Sequence, residues 1–239
     1  MHTHPWVVRA KSRPQLRLFC LPYAGGGAAL FRLWADNLPA EVEVCPIFLP
    51  GRERRMREAP FKRLQPLVET LAHELQPFMD VPFAFFGHSM GALISFELIR
   101  HLRRNQLPMP VHLFASSFRA PQLPDRNPPL HQLSDAEIIA MLTRIGGTPP
   151  SVLQHAELMK MLIPIMRADF ELCETYVYTP EPPLDCPITA FGGAQDMLVS
   201  PQELEAWHIQ TRGPFGVRLF PGDHFFLQNQ QDALLQALA

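Results

Sequence analysis

Residues 83–91 read Phe83-Ala84-Phe85-Phe86-Gly87-His88-Ser89-Met90-Gly91, and the fold follows from how that stretch is parsed. Four apolar residues closed by a glycine have the make-up of a short buried strand. From residue 90 onward the period changes, with Leu93, Phe96, Ile99 and Leu102 recurring at helical spacing. Between the two lies Gly-x-Ser-x-Gly. A serine at a sharp strand-to-helix turn is a nucleophile elbow, in which the flanking glycines relieve crowding and the hydroxyl stands clear at the helix N-terminus. A chance Gly/Ser turn has no reason to fall between those two patterns, so Ser89 is the candidate nucleophile.

The same grammar extends in both directions. Residues 16–21, 42–49, 111–115, 188–191 and 217–220 are short apolar runs, each closed by a breaker or a serine, and Leu64, Leu67, Val68, Leu71, Leu75 and Phe78 mark a helix between two of them. Strand and helix in alternation predict an α/β fold: a mostly parallel central sheet with helices on both faces and functional groups at the strands' carboxyl ends. Residues 119–187 break the rhythm. Eleven of the chain's 26 prolines lie between Pro121 and Pro187, bunched at the two ends of that segment. Inside it are one helical pattern at 134–145, with Ser134 and Glu137 forming a capping box, and a second at about 152–176 with a kink expected at Pro164. This reads as a helical lid inserted into a single domain, residues 1–239, and joined to it by stiff connectors.

Composition narrows the function. With 21 Lys and Arg against 23 Asp and Glu, the net charge of −2 gives no global pull toward nucleic acid or an anionic membrane. No uninterrupted apolar run is long enough to span a bilayer, and the start Met1-His2-Thr3-His4-Pro5 lacks the basic-then-apolar order of a signal peptide. Cys20, Cys45, Cys173 and Cys186 are widely spaced, without a metal-ligand pattern, and read as reduced thiols. The expectation is a cytoplasmic protein without metal or cofactor.

A serine needs a base, and the base needs a carboxylate to fix its tautomer. In an elbow fold these follow in the order serine, acid, histidine. Of ten histidines, only His208 and His224 lie beyond the acid-bearing loops; His208 falls in a helical pattern, whereas His224 follows the last strand in Pro221-Gly222-Asp223-His224. His224 is therefore the candidate base. Asp196, just past the strand at 188–191, is the candidate acid, with Asp125 one strand earlier as its rival and Asp223 too near His224 in sequence to face its ring. The oxyanion calls for two backbone N–H donors, one from Met90 and one from Pro22-Tyr23-Ala24-Gly25-Gly26-Gly27, with Ala24 preferred and Gly25 second. That loop lacks the Gly-Lys-Ser/Thr ending of a phosphate cradle.

Taken together, "LPYAGGGA", "FRLWADNLP", "FLPGRERR", "FFGHSMGALISFEL", "RADFELCETY", "FGGAQD" and "FPGDHFFL" resemble, in order and over residues 15–238, the type II thioesterases that accompany nonribosomal peptide and polyketide synthases. The resemblance implies an α/β-hydrolase fold, a triad of Ser89, Asp196 and His224, and an oxyanion hole from Ala24 and Met90. It also implies an editing role, the hydrolysis of aberrant acyl groups from the phosphopantetheine arm of carrier domains, by a monomer that meets those domains transiently. Gly27 stands where the family more often has serine. The triad alone leaves open an acyl-CoA thioesterase, a carboxylesterase, an acyltransferase, or a non-catalytic carrier-binding partner. Two features bear on substrate. Arg52, Arg54, Arg55, Arg57, Lys62 and Arg63 crowd one loop, and either pair internally or, with Arg54 and Arg55 foremost and Arg100, Arg103 and Arg104 nearby, meet an acidic carrier domain or its arm's phosphate. Phe170, with Met141, Met159, Met161 and Met166, is either lid core or acyl contact.

Overall fold

Each short apolar run becomes a strand because both of its faces are covered. β1 (Leu16–Leu21), β2 (Val42–Pro46), β3 (Phe83–His88), β4 (His112–Ser116), β5 (Ile188–Gly193) and β6 (Phe215–Phe220) form one sheet in the order β2-β1-β3-β4-β5-β6. All the pairings are parallel, with registers such as Phe19↔Phe85, Phe86↔Phe114 and Ala115↔Ala190. The computed structural model describes residues 4–8, 14–126 and 128–238; Met1–Thr3, on which the reading of the N-terminus partly rests, Asn127 within the proline-rich segment and the final Ala239 lie outside them.

Side chains alternate across the sheet and build two cores. Phe19, Leu21, Phe83 and Phe85 face α1 (Leu64–Leu75) and α2 (Met90–Arg104). Leu18, Cys20, Ala84 and Phe86 face Phe31, Trp34 and the C-terminal helices α7 (Phe226–Asn229) and α8 (Gln231–Leu238). Between β5 and β6 lies α6 (Pro201–Glu205), continued by a 3-10 helix over Ala206–Gln210, where the sequence predicts one helix.

Between β4 and β5 come α3 (Asp135–Ile145), α4 (Pro150–Leu153) and α5 (Ala156–Glu174), with their own apolar cluster of Ile138, Met141, Leu142, Met159, Ile163 and Met166. α3 starts as the capping box requires: Glu137 N–H donates to Ser134 Oγ, and Ser134 N–H donates at 2.7 Å to Glu137 Oε2. The helical pattern at 152–176 resolves into two helices, separated at Gln154 and His155, whose ring nitrogen accepts from Leu158 N–H and caps α5. Pro164 lies inside α5 without ending it.

The chain places β2 on one side of β1 and β3 on the other. The loops leaving the carboxyl ends of β1 and β3 therefore diverge and open a crevice, the usual ligand position in a parallel sheet. All four cysteines are free, three of them buried. Among the described residues no helix is long and apolar enough to cross a membrane.

Candidate active site

β3 is buried along its whole length and delivers its last residues to that crevice. Ser89 follows at φ +53° and ψ −117°, a strained conformation for a residue with a side chain, and its N–H donates at 2.7 Å to the Ser116 carbonyl. The elbow is tight because α2 starts against the end of β1: a Cβ on Gly91 would lie 2.2 Å from the Leu21 carbonyl oxygen, and one on Gly87 would lie 2.1 Å from the Gly91 carbonyl oxygen. Both positions therefore require glycine.

The turn after β5 carries Asp196, and the turn after β6 carries His224. His224 Nδ1 donates to Asp196 Oδ2 at 2.9 Å, while Asp196 Oδ1 accepts from Leu198 N–H at 2.8 Å and Val199 N–H at 3.2 Å. Burial alone would raise the Asp196 carboxyl, but the hydrogen bond and charge of His224 with the two amides outweigh it and hold the group below its ordinary value. With Nδ1 committed to Asp196, Nε2 is the ring nitrogen available to take a proton. Ser89 and His224 line the same cavity; among the described residues they are not joined by a hydrogen bond. Such contacts often close only around substrate.

His88, inside the elbow, steadies His224 from behind. It is fully buried, with Nδ1 2.8 Å from Ser116 Oγ and Nε2 2.9 Å from the His224 carbonyl oxygen. A carbonyl can only accept, so Nε2 carries the proton and Nδ1 accepts from the Ser116 hydroxyl. Burial, followed by the charge of His224, pushes the His88 imidazole down to about 3, and it stays neutral.

The loop after β1 turns over Tyr23–Gly26, where Gly26 N–H donates to the Tyr23 carbonyl at 2.9 Å and Gly25 takes φ +78°, a turn that favours glycine at its third position. Among the described residues, neither Ala24 N–H nor Met90 N–H is spent on a protein acceptor. The second-choice donor is excluded: Gly25 N–H donates at 2.7 Å to Asp169 Oδ2 of α5. Above the elbow opens a cavity of about 630 Å³, whose walls include Ser89, His224, Met141, Leu142, Met166 and Phe170.

Residues 16–239 match the thioesterase domain family. The chain belongs to that family. It is a thioester hydrolase of the serine-hydrolase type with the α/β-hydrolase fold. The gramicidin S biosynthesis protein GrsT of Aneurinibacillus migulanus is 51% identical over 233 residues, which cover 97% of this chain and 91% of that protein. Among solved structures, the RedJ thioesterase from the prodiginine biosynthetic pathway of Streptomyces coelicolor superposes with a TM-score of 0.90 at 42% identity, covering 94% of this chain and 89% of that one. The type II thioesterase BorB from the borrelidin biosynthetic cluster gives 0.89 at 36% identity, covering 100% and 98%.

Other candidate residues of this thioesterase are placed differently. His208 lies in the 3-10 helix with Nδ1 2.9 Å from the Glu205 carbonyl oxygen, Asp223 Oδ1 accepts from Phe225 N–H at 2.8 Å, and Asp125 faces Arg119 at 3.1 Å. Two of the six basic residues of the arginine loop, Arg52 and Arg55, are turned inward, which corrects the docking expectation for Arg55. Its side chain is 7% exposed, bonded to Glu58 and the Phe48 carbonyl, with its guanidinium over the Trp6 ring. Arg54 remains exposed but lies over Phe48 and donates to the His4 and Pro5 carbonyls. Arg100, Arg103 and Arg104 converge on Glu181. Opposite charge and backbone carbonyls close at hand satisfy these guanidinia, so the surface loses most of the free positive charge that the sequence counts.

Two functional contacts have no counterpart in the sequence reading: His88 behind His224, and Asp169 on Gly25. The one available signal was a carboxylate at position 169 within the apolar stripe of Met159, Ile163, Met166 and Leu172, where a charge needs a partner.

Proposed function

We propose that Ser89, His224 and Asp196 act as the catalytic triad, with the Ala24 and Met90 N–H groups as the oxyanion hole, of a type II editing thioesterase that clears acyl groups from carrier domains. The observation that carries this reading is Ser89 held in its strained turn on the wall of a cavity shared with His224, which is itself hydrogen-bonded to Asp196. Ser89 Oγ attacks the thioester carbonyl as His224 Nε2 takes its proton. The oxyanion forms against the two amides, and the thiol leaves with the proton from His224. Water, deprotonated in turn by His224, attacks the acyl-serine, and His224 returns that proton to Ser89 Oγ as the carboxylic acid departs. Asp196 keeps the ring in the required tautomer throughout.

The helical segment at 119–187 is read as a lid over a single hydrolase domain, its Met141, Met166 and Phe170 walling the acyl site. A volume of about 630 Å³ suits short and medium acyl chains. The carrier reading draws on the relatives' synthase pathways and on Arg126 and Arg144, exposed arginines on the cavity wall, which suit the phosphodiester of a phosphopantetheine arm. The protein acts as a cytoplasmic monomer that meets its carriers transiently.

The test is hydrolysis of matched acyl-carrier, acyl-CoA and oxoester substrates by wild type and Ser89→Ala, alongside labelling by a fluorophosphonate. Wild type should label once and prefer acyl-carrier substrate, whereas Ser89→Ala should lose label and about three or more orders of magnitude in kcat. Near-normal turnover by Ser89→Ala would sink the mechanism, and preference for acyl-CoA would sink the carrier reading.

A further inference from the structure

Asp169 sits in α5, far along the chain from the loop it touches, and is 3% exposed. Its carboxylate is fully engaged. Oδ2 accepts from Gly25 N–H at 2.7 Å and from Arg52 Nη1 at 2.7 Å, and Oδ1 accepts from Arg52 Nη2 at 2.7 Å. Arg52, 6% exposed, also donates from Nη1 to the Gly26 carbonyl at 3.0 Å. The next residue, Glu53, is held at φ +51°, and its two carboxylate oxygens accept from Ala28 N–H at 2.9 Å and Ala29 N–H at 2.8 Å. The loop that carries Ala24 is thus clasped from both sides by consecutive residues of the β2–α1 connection, and from above by α5. Met166, one turn before Asp169, packs so closely on Gly25 that a Cβ there would lie 2.8 Å from Met166 Cγ.

We propose that Asp169, held in place by Arg52, is a positioning residue for the oxyanion hole: by fixing Gly25 N–H it aims the preceding peptide, and so makes the Ala24 donor depend on how α5 is seated. A buried, bidentate carboxylate–guanidinium pair is a costly way merely to fill space, because both charges must be desolvated. Here the pair spends one of its acceptor sites on a backbone amide adjoining the candidate oxyanion donor. The free Ala24 N–H and the committed Gly25 N–H belong to adjacent residues in one turn, so losing the second bond frees the turn to rotate the first donor away.

This inference rests on the oxyanion reading above. The test uses Asp169→Ala and Asp169→Asn, a small neutral thioester such as an acyl-N-acetylcysteamine, and an alkyl boronate, whose tetrahedral serine adduct puts an oxygen in the oxyanion hole. Asp169→Ala should lower kcat by about thirtyfold or more, leave KM within about threefold, and weaken boronate binding in parallel. Asp169→Asn keeps an acceptor for Gly25 and should lose only about three- to tenfold in both measures. A folded Asp169→Ala enzyme with kcat near wild type, or one that loses kcat while binding boronate normally, would overturn the proposal. If Asp169→Ala does not fold, unchanged boronate affinity in Asp169→Asn overturns it equally. Failure of the wild-type enzyme itself to bind boronate or to turn over would instead refute the oxyanion reading.

Discussion

His88 has an imidazole whose chemistry lies far from that of its free side chain. It is neutral because it is buried, and its two bonds, from the Ser116 hydroxyl and to the His224 carbonyl, are both made by the neutral ring. Its imidazole is pushed from 6.5 to about 3 on folding, so between those values the unfolded chain binds a proton that the folded chain refuses. Stability therefore rises with pH across that window and is lost on acidification. From pH 6.5 to pH 4, urea unfolding should register a loss of about 3 kcal/mol from this group. His88→Gln can reproduce both bonds without titrating and should flatten the dependence; an unchanged slope would assign the acid sensitivity elsewhere. Nothing in "GHSMG" discloses this role, since the ring's partners come from β4 and from the turn after β6.

At the scale of elements, the decisive junction is the one between β3 and α2. Gly91→Ala drives a Cβ against the Leu21 carbonyl oxygen, a backbone atom that no rotamer change can move. The variant should lose about 2–3 kcal/mol in thermal unfolding and label poorly with a fluorophosphonate even while folded, because the elbow must shift to admit the methyl. Elements of this kind were legible in the sequence because each apolar run closes on a breaker or a serine and the period switches at Ser89. That Asp196 and His224 would meet was legible too, since each directly follows a strand of one parallel sheet. The separation of α4 from α5 was not, because Gln154 and His155 carry no glycine or proline to mark it. Nor was the fate of the arginines. Arg52 finds its carboxylate 117 residues away, and local sequence cannot say which guanidinium turns inward.

At the scale of the whole molecule, many charged side chains pair within the fold, and among the arginines that stay exposed Arg126 and Arg144 stand on the cavity wall. Reversing Arg126 and Arg144 to Glu should raise KM for an acyl-carrier substrate by about tenfold, and for a small neutral thioester by much less. Equal effects on both would refute a role in seating the arm. The sheet order has a further consequence, for the time course of folding. The candidate catalytic groups come from turns at residues 24, 89, 196 and 224, brought together by strands that pair across long stretches of chain. Such non-local pairing is slow to form, while the helices between are local and fast. Secondary structure must therefore outrun activity in any refolding record, and a proteolytic fragment lacking either edge of this span loses a candidate catalytic group from the site.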